Sequence, residues 1–187
     1  MEKTRCNWVS NDELYIKYHD EEWGKPVYDD KVLFEFLVLE SFQAGLSWIT
    51  ILKKRENFRK AFDNFNDKKI AKYDDAKIEE LLQNEGIIRH RGKIEATINN
   101  ARVFQEIQKE FGSFSDYLWK YVNGKQIDNK LKSIKDVVAK TEISDALAKD
   151  LKKRGFKFMG STTVYAFMQA IGMVNDHITS CFCYKKV

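Results

Sequence analysis

Proline is almost missing: Pro26 is the only one in 187 residues. Because proline removes a backbone donor and clashes with the preceding helical turn, its rarity leaves nearly the whole chain free to be helical. Glycine is also thin, with nine scattered residues, and no run reaches the roughly 18 apolar residues of a membrane-spanning helix. Three cysteines are too few for a disulfide scaffold. The opening MEKTRCNWVSND has no apolar signal core and is too acidic for a transit peptide, so a cytoplasmic location away from membranes is expected. The excess of one charge is small as well. A net +4 permits an anionic partner such as nucleic acid without demanding one.

What is present is helical periodicity. Apolar residues recur at three- and four-residue spacing almost everywhere, the pattern of amphipathic helices and not of strands, which predicts an all-α fold. Helices are expected near 10–19, 30–43, 47–62, 67–72, 75–84, 91–110, 113–122, 143–154 and 161–174. Ser10 with Glu13 forms a capping box, and Asp29 or Asp30, Ser47, Asp74, Ser113, Ser144 and Ser161 stand where a side chain can accept from free first-turn amides. Gly86, Gly112, Gly124 and Gly155 fit the left-handed position that closes a helix. The lysine-rich stretch NGKQIDNKLKSIKDVVAKTEIS, 123–144, is less periodic and reads as an irregular connection. One compact unit over residues 1–187 is expected, with room for two helical lobes around a cleft.

Two of the three histidines lie near cysteines, at opposite ends of the chain: Cys6 is thirteen positions before His19, and Cys181 four after His177. Zinc takes four tetrahedral thiolate or imidazole ligands, and His-x3-Cys spacing suits one helical turn or a helix end with its loop. Such a site would join the termini and, with four protein ligands, leave no place for a reactive water. Cys183 is within reach as a substitute for Cys181, which is preferred. The competing reading makes the cysteines small buried hydrophobes and the histidines ordinary hydrogen-bonding groups.

Between Phe36 and Trp48 the chain reads FLVLESFQAGLSW. Leu33, Phe36, Leu37, Glu40 and Ala44 share one helix face, which sets the Glu40 carboxylate in an apolar stripe, a costly position unless it is paired. Either helix amides or an arginine satisfy it inside the core, or it faces a cleft that takes a polar or cationic ligand. Aromatic residues gather nearby. Tyr15, Tyr18 and His19 share a face by i, i+3, i+4 spacing, Trp48 opens the helix after AGLS, and Trp8 and Trp23 belong to the N-terminal segment. Such rings combine a flat face with a polar edge, which favours the cleft and a planar guest.

Later, LKKRGFKFMGSTTVYAF places a glycine-bounded connection between two expected helices. The amides of Gly160, Ser161 and Thr162 would open a helix N-terminus suited to an anion. Lys152, Lys153, Arg154 and Lys157 surround it, and such a turn holds a nucleic-acid backbone without reading its sequence. A solvated basic corner is the competing reading. RHRGK, from Arg89 to Lys93, reads as the start of a surface helix.

Together the stretches CNWVSNDELYIKYHDEEWG, LESFQAGLSWITILKKRENFRKAF, EGIIRHRGKIEATINNA, SDALAKDLKKRGFKFMG and VNDHITSCFCY resemble the bacterial 3-methyladenine DNA glycosylase I family over about residues 6–184. The resemblance implies a helix-hairpin-helix DNA glycosylase fold whose N- and C-terminal segments are joined by one structural zinc ion. It implies a monofunctional hydrolase of base excision repair that flips out and releases 3-methyladenine from alkylated double-stranded DNA; a monomer is expected. Residue by residue, it carries the zinc ligands to Cys6, His19, His177 and Cys181, and base recognition with the catalytic role to Glu40. Stacking falls to Tyr18 and Trp48, with Tyr15, Trp8 and Trp23 lining the same cavity. DNA contacts fall on Gly155, Lys157, Gly160, Ser161 and Thr162 of the hairpin. In the QAGLS corner, Gly45 and Leu46 would occupy the gap left in the duplex. The turn GFKFMG is less glycine-rich than the usual superfamily hairpin. Asp176, the candidate for the aspartate that many superfamily members use in chemistry, is given a structural role beside His177.

Overall fold

The computed structural model describes residues 3–187. Among them the chain forms nine α-helices: α1 (Glu13–Glu21), α2 (Asp30–Gln43), α3 (Trp48–Ala61), α4 (Asp67–Ile70), α5 (Asp75–Gln83), α6 (Arg91–Phe111), α7 (Phe114–Trp119), α8 (Glu142–Arg154) and α9 (Ser161–Ala170). Short 3-10 turns connect several of them. The only strands among the described residues, β1 (Ile127–Asp128) and β2 (Val174–Asn175), form a two-residue parallel pair. The fold is all-α, as periodicity predicts.

Helix ends follow local chemistry, with corrections. Asp29, Asp74 and Ser113 cap α2, α5 and α7, each side chain accepting from a first-turn amide. At α1 the cap is Asp12 rather than Ser10, whose hydroxyl accepts from the Asp12 amide instead. Thr141 caps α8 with Ser144 as its reciprocal partner. Ser47 stands at the cap of α3 with its hydroxyl on Thr50, and Ser161 is already inside α9, after Gly160. Gly86 closes nothing, because Asn84 ends α5. The helix expected over 113–122 is α7 followed by a 3-10 turn, Lys120–Val122. That expected over 161–174 stops at Ala170: Gly172 turns the chain at φ +70°, so close to Lys25 that a Cβ would meet its carbonyl carbon at 2.3 Å.

The core is built around α2. Its residues Leu33 to Phe42 are all buried, so the expected apolar stripe is in fact a helix enclosed on every side, by α3, α6, α7 and α9. Phe34 meets Phe104 edge-on at 4.9 Å, Phe42 meets Phe58 the same way, and Phe104 stacks on Phe114 at 4.3 Å between centroids. Burying each such ring contributes roughly 1.5–3 kcal/mol. That enclosure also strips water from two carboxylates, Glu35 and Glu40.

Candidate functional site

The chain ends meet at a thiol and imidazole cluster. Cys6 before α1, His19 on α1, and His177 and Cys181 after β2 are all buried, and one ligand atom from each lies within 4.8 Å of the others. The Cys6 Sγ is 3.5 Å from His177 Nδ1, and the Cys181 Sγ is 3.5 Å from His19 Nε2 and 3.6 Å from His177 Nδ1. A tetrahedron with metal–ligand bonds of about 2.0–2.3 Å has edges of roughly 3.3–3.8 Å, so these four residues could hold zinc.

The outward nitrogens are already engaged. His19 Nδ1 faces the Asp20 carboxylate at 2.8 Å, and His177 Nε2 faces the Trp23 carbonyl at 3.1 Å. Both partners accept, so each ring turns its other nitrogen toward the cluster, His19 Nε2 also meeting the Cys6 amide at 3.5 Å. Arg5 in turn donates to Asp20 at 2.8 Å. Hydrogen bonding from Cys6, then from the two histidines, holds the Cys181 thiol well below the usual thiol range, while the same contact and burial push Cys6 up. The cluster thus favours one thiolate, the form that binds a metal. Cys183 is turned away, its Sγ toward the His19 and Asp20 carbonyls and its amide donating to the Cys181 Sγ at 3.4 Å.

Beside the cluster lies a cavity of about 220 Å³, lined among others by Trp8, Tyr15, Tyr18, Trp23, Glu40 and Trp48. The structure therefore brings together every residue expected around a planar guest. The Tyr18 and Trp48 rings stand 5.6 Å apart at 49°, and Trp8 touches both Tyr15 and Trp23, at 5.0 and 4.9 Å. Glu40 Oε2 and Trp48 Nε1 are buried and, among the described residues, have no hydrogen-bond partner. Leaving such groups unpaired costs about 1–3 kcal/mol each. Burial alone raises the Glu40 carboxyl to about 8.

Other wall residues have little sequence signal. Ile134 and Val137 reach the cavity from the irregular connection, which buries Leu131 and accepts at its carbonyl from the Thr179 amide at 2.7 Å. Asp176 also lines the cavity. Its oxygens accept from Asn129 Nδ2 at 2.6 Å and from the Tyr165 hydroxyl and Gln169 Nε2 at 2.7 Å each, the bonding of a scaffold group.

Two further elements flank this region. The corner after α2 is exposed from Ala44 to Ser47, with Gly45 at φ +80° and Leu46 36% exposed. Its loop closes on itself through Leu46 N to Gln43 O at 2.7 Å. Between α8 and α9, Gly155 takes φ +103°, with Phe156 N on Leu151 O and Gly155 N on Lys152 O, a paired closure that only a left-handed residue allows. Phe156 and Met159 are buried, while Lys157, Phe158 and Gly160 are exposed. No side chain caps α9, leaving its first amides, near Ser161 and Thr162, without a side-chain acceptor. Of the basic residues expected around the turn, Arg154 is taken by Asp150 and Glu110 at 2.8 and 2.6 Å, and Lys152, Lys153 and Lys157 remain exposed. Phe158, which sequence reasoning passed over, sits at the turn with φ +58° and 45% exposure.

A family described as methyladenine glycosylase matches residues 8–184. The chain is 53% identical over 180 residues to a DNA-3-methyladenine glycosylase of Haemophilus influenzae, covering 96% of this chain and 97% of that relative. A solved 3-methyladenine DNA glycosylase I matches with a TM-score of 0.94 at 55% identity, over 96% of this chain and 99% of that one. The Staphylococcus aureus enzyme, solved for its recognition of 3-methyladenine, matches at 0.93 and 42% identity, over 95% of each chain. The helical fold and the near-complete coverage agree: the chain belongs to the methyladenine glycosylase family.

Proposed function

We propose that Glu40, Tyr18 and Trp48 form the base-recognition pocket with which this DNA-3-methyladenine glycosylase releases its lesion from alkylated double-stranded DNA. The observation that carries the reading is the pair of buried polar atoms, Glu40 Oε2 and Trp48 Nε1, that have no partner among the described residues and belong to residues lining an aromatic cavity. N3-methylation makes adenine cationic, so the glycosidic electrons pass to the base without prior protonation, the base departs neutral, and a water oxygen bonds the sugar carbon left cationic, releasing its proton to solvent. The protein then has less chemistry to supply than positioning. Methylation also lowers the pairing and stacking cost that opposes extrusion of the base. In the cavity the cationic ring gains from stacking against Tyr18 and Trp48, and the Glu40 carboxylate accepts from the base edge through charge-assisted hydrogen bonds. Neutral adenine forfeits the electrostatic part, leaving the desolvated carboxylate uncompensated.

Cys6, His19, His177 and Cys181 would hold one zinc ion, which when bound cross-links the two chain ends and fixes α1 with Tyr15 and Tyr18. The inter-ligand spacing and the occupied outer nitrogens support this role, and four protein ligands make it structural. Gly155, Lys157, Gly160, Ser161 and Thr162 would hold the DNA backbone, and Gly45 and Leu46 would enter the gap behind the extruded base, in a monomeric cytoplasmic protein. The deciding experiment measures release of free 3-methyladenine from methylated duplex DNA by wild type and by Glu40→Gln. Equal excision kinetics in the two would sink the role of Glu40. For zinc, elemental analysis of purified protein should give near one equivalent, with chelation lowering the melting temperature; metal-free protein of equal stability would refute the site.

A further inference from the structure

The exposed corner and the hairpin are separate in sequence, yet α6 grips both. Lys93 belongs to the RHRGK cluster read as a surface helix start, but it is only 6% exposed. Its Nζ donates to Phe42 O at 2.9 Å and to Ala44 O at 3.2 Å. Those carbonyls lie at the C-terminus of α2, where intrahelical donors run out and the negative end of the helix dipole gathers. The ammonium therefore pins the chain that leads from Glu40 into Gly45 and Leu46.

Seven positions on, on the same helix face and about 10 Å along the axis, Asn100 makes a reciprocal pair with the hairpin. Its Oδ1 accepts from Lys157 N and its Nδ2 donates to Lys157 O, both at 2.9 Å. Asn99 adds a bond from Nδ2 to Gly155 O at 2.7 Å. At the start of α6, His90 accepts from the Lys93 amide at 3.1 Å and meets the exposed Phe158 ring edge-on at 6.2 Å. Neither Lys93 nor Asn100 lines the base cavity.

We infer that α6 is the spacer that sets the hairpin relative to the corner, with Lys93 and Asn100 as positioning residues for engaging DNA rather than for holding the base. This rests on the reading of hairpin and corner as DNA contacts. The hairpin fixes where the backbone sits, and the corner must then meet the gap left by one extruded nucleotide. A misplacement of about 1 Å between such elements costs up to roughly a hundredfold in rate. Uniform side-chain-to-backbone bonding at both anchors is suited to preventing that slip, because it holds main chain and is indifferent to the loop side chains.

The test uses full-length Lys93→Met, Lys93→Arg, Asn100→Asp and the Lys93→Met/Asn100→Asp double variant. Binding of free 3-methyladenine is followed by tryptophan fluorescence, and excision from methylated duplex DNA under single-turnover conditions over a range of enzyme concentrations. Free-base affinity should stay within about twofold of wild type, while subsaturating excision falls about tenfold or more in Lys93→Met and Asn100→Asp. Asn100→Asp should raise the half-saturating concentration, Lys93→Met should lower the maximal rate, and Lys93→Arg should recover most of it. The double variant should lose less than the product of the singles, since either change frees the same spacing. Base affinity falling in step with excision, as general loosening would produce, overturns the inference, and so does unchanged excision. Parallel Leu46→Ala and Lys157→Ala variants with wild-type excision would overturn the underlying DNA-contact reading, and this inference with it.

Discussion

Glu35 and Glu40 stand five positions apart on one helix, both buried, at 8% and 4% exposure, and they are treated in opposite ways. Glu35 accepts from Arg55 Nε at 2.6 Å and Arg59 Nε at 2.9 Å, and Arg55 continues to Glu22 at 2.7 Å. Glu40 faces an aromatic cavity with one oxygen unpartnered among the described residues. Removal from water is expensive for both. At Glu35 the fold meets that cost with its own cations; at Glu40 no residue of the described chain meets it at Oε2. Burial of a charge is thus no mark of function. A buried acid left without a partner, in a space of the right shape, is one.

The contrast breaks most visibly at the structural member. Glu35→Ala removes the acceptor that Arg55 and Arg59 share, leaving Arg55 to Glu22 and the part-exposed Arg59 to Glu56; loss of one partner from a buried ion pair costs up to about 3–5 kcal/mol, which should appear as a clear drop in melting temperature, with free-base affinity per folded molecule unchanged. Glu40→Gln should do the reverse, keeping the fold and DNA binding while single-turnover excision falls by about a hundredfold, the order expected for one lost electrostatic contact to a charged centre. Unchanged excision in Glu40→Gln, or a loss of stability as large as that of Glu35→Ala, would erase the distinction.

The pH dependence sharpens it further. With the Glu40 carboxyl raised to about 8 in the free protein, its ionised fraction shrinks as pH falls. The kcat/KM for methylated DNA should rise toward pH 8, decline below it by up to about tenfold per unit, and lose that slope in Glu40→Gln. A pH-independent wild type between 5 and 8 would contradict an ionised Glu40 as the recognising form. The same titration reaches stability. The unfolded carboxyl titrates near 4.5 and the folded one near 8, so the folded state binds the extra proton in between, and stability is lost as pH rises through that window. Glu40→Gln should therefore match wild type in melting temperature near pH 5 and exceed it near pH 8.

Near-neighbour chemistry was readable in advance. The bounds 30–43 coincide with α2, Asp29, Asp74 and Ser113 cap as their spacing suggests, and Tyr15, Tyr18 and His19 do share α1. Helix formation depends on contacts three and four residues apart, which a linear pattern displays directly. Misplaced starts at Ser10, Ser144 and Ser161 reflect competition among several eligible caps within one turn.

The rest is long-range. Periodicity places Glu35 and Glu40 on α2 but says nothing of Arg55 and Arg59, twenty or more residues away on α3. Nor does it foretell that Ile134 and Val137 close the cavity from a segment without helical rhythm, or that Lys93, in a run of basic residues, turns inward to the end of α2. The chain itself dictates an all-helical fold, a carboxylate set among rings and cysteines near histidines at both ends. Which carboxylate is satisfied, which thiols converge and which lysine is buried are decided by packing between helices, because desolvation and pairing depend on neighbours that only the folded chain assembles.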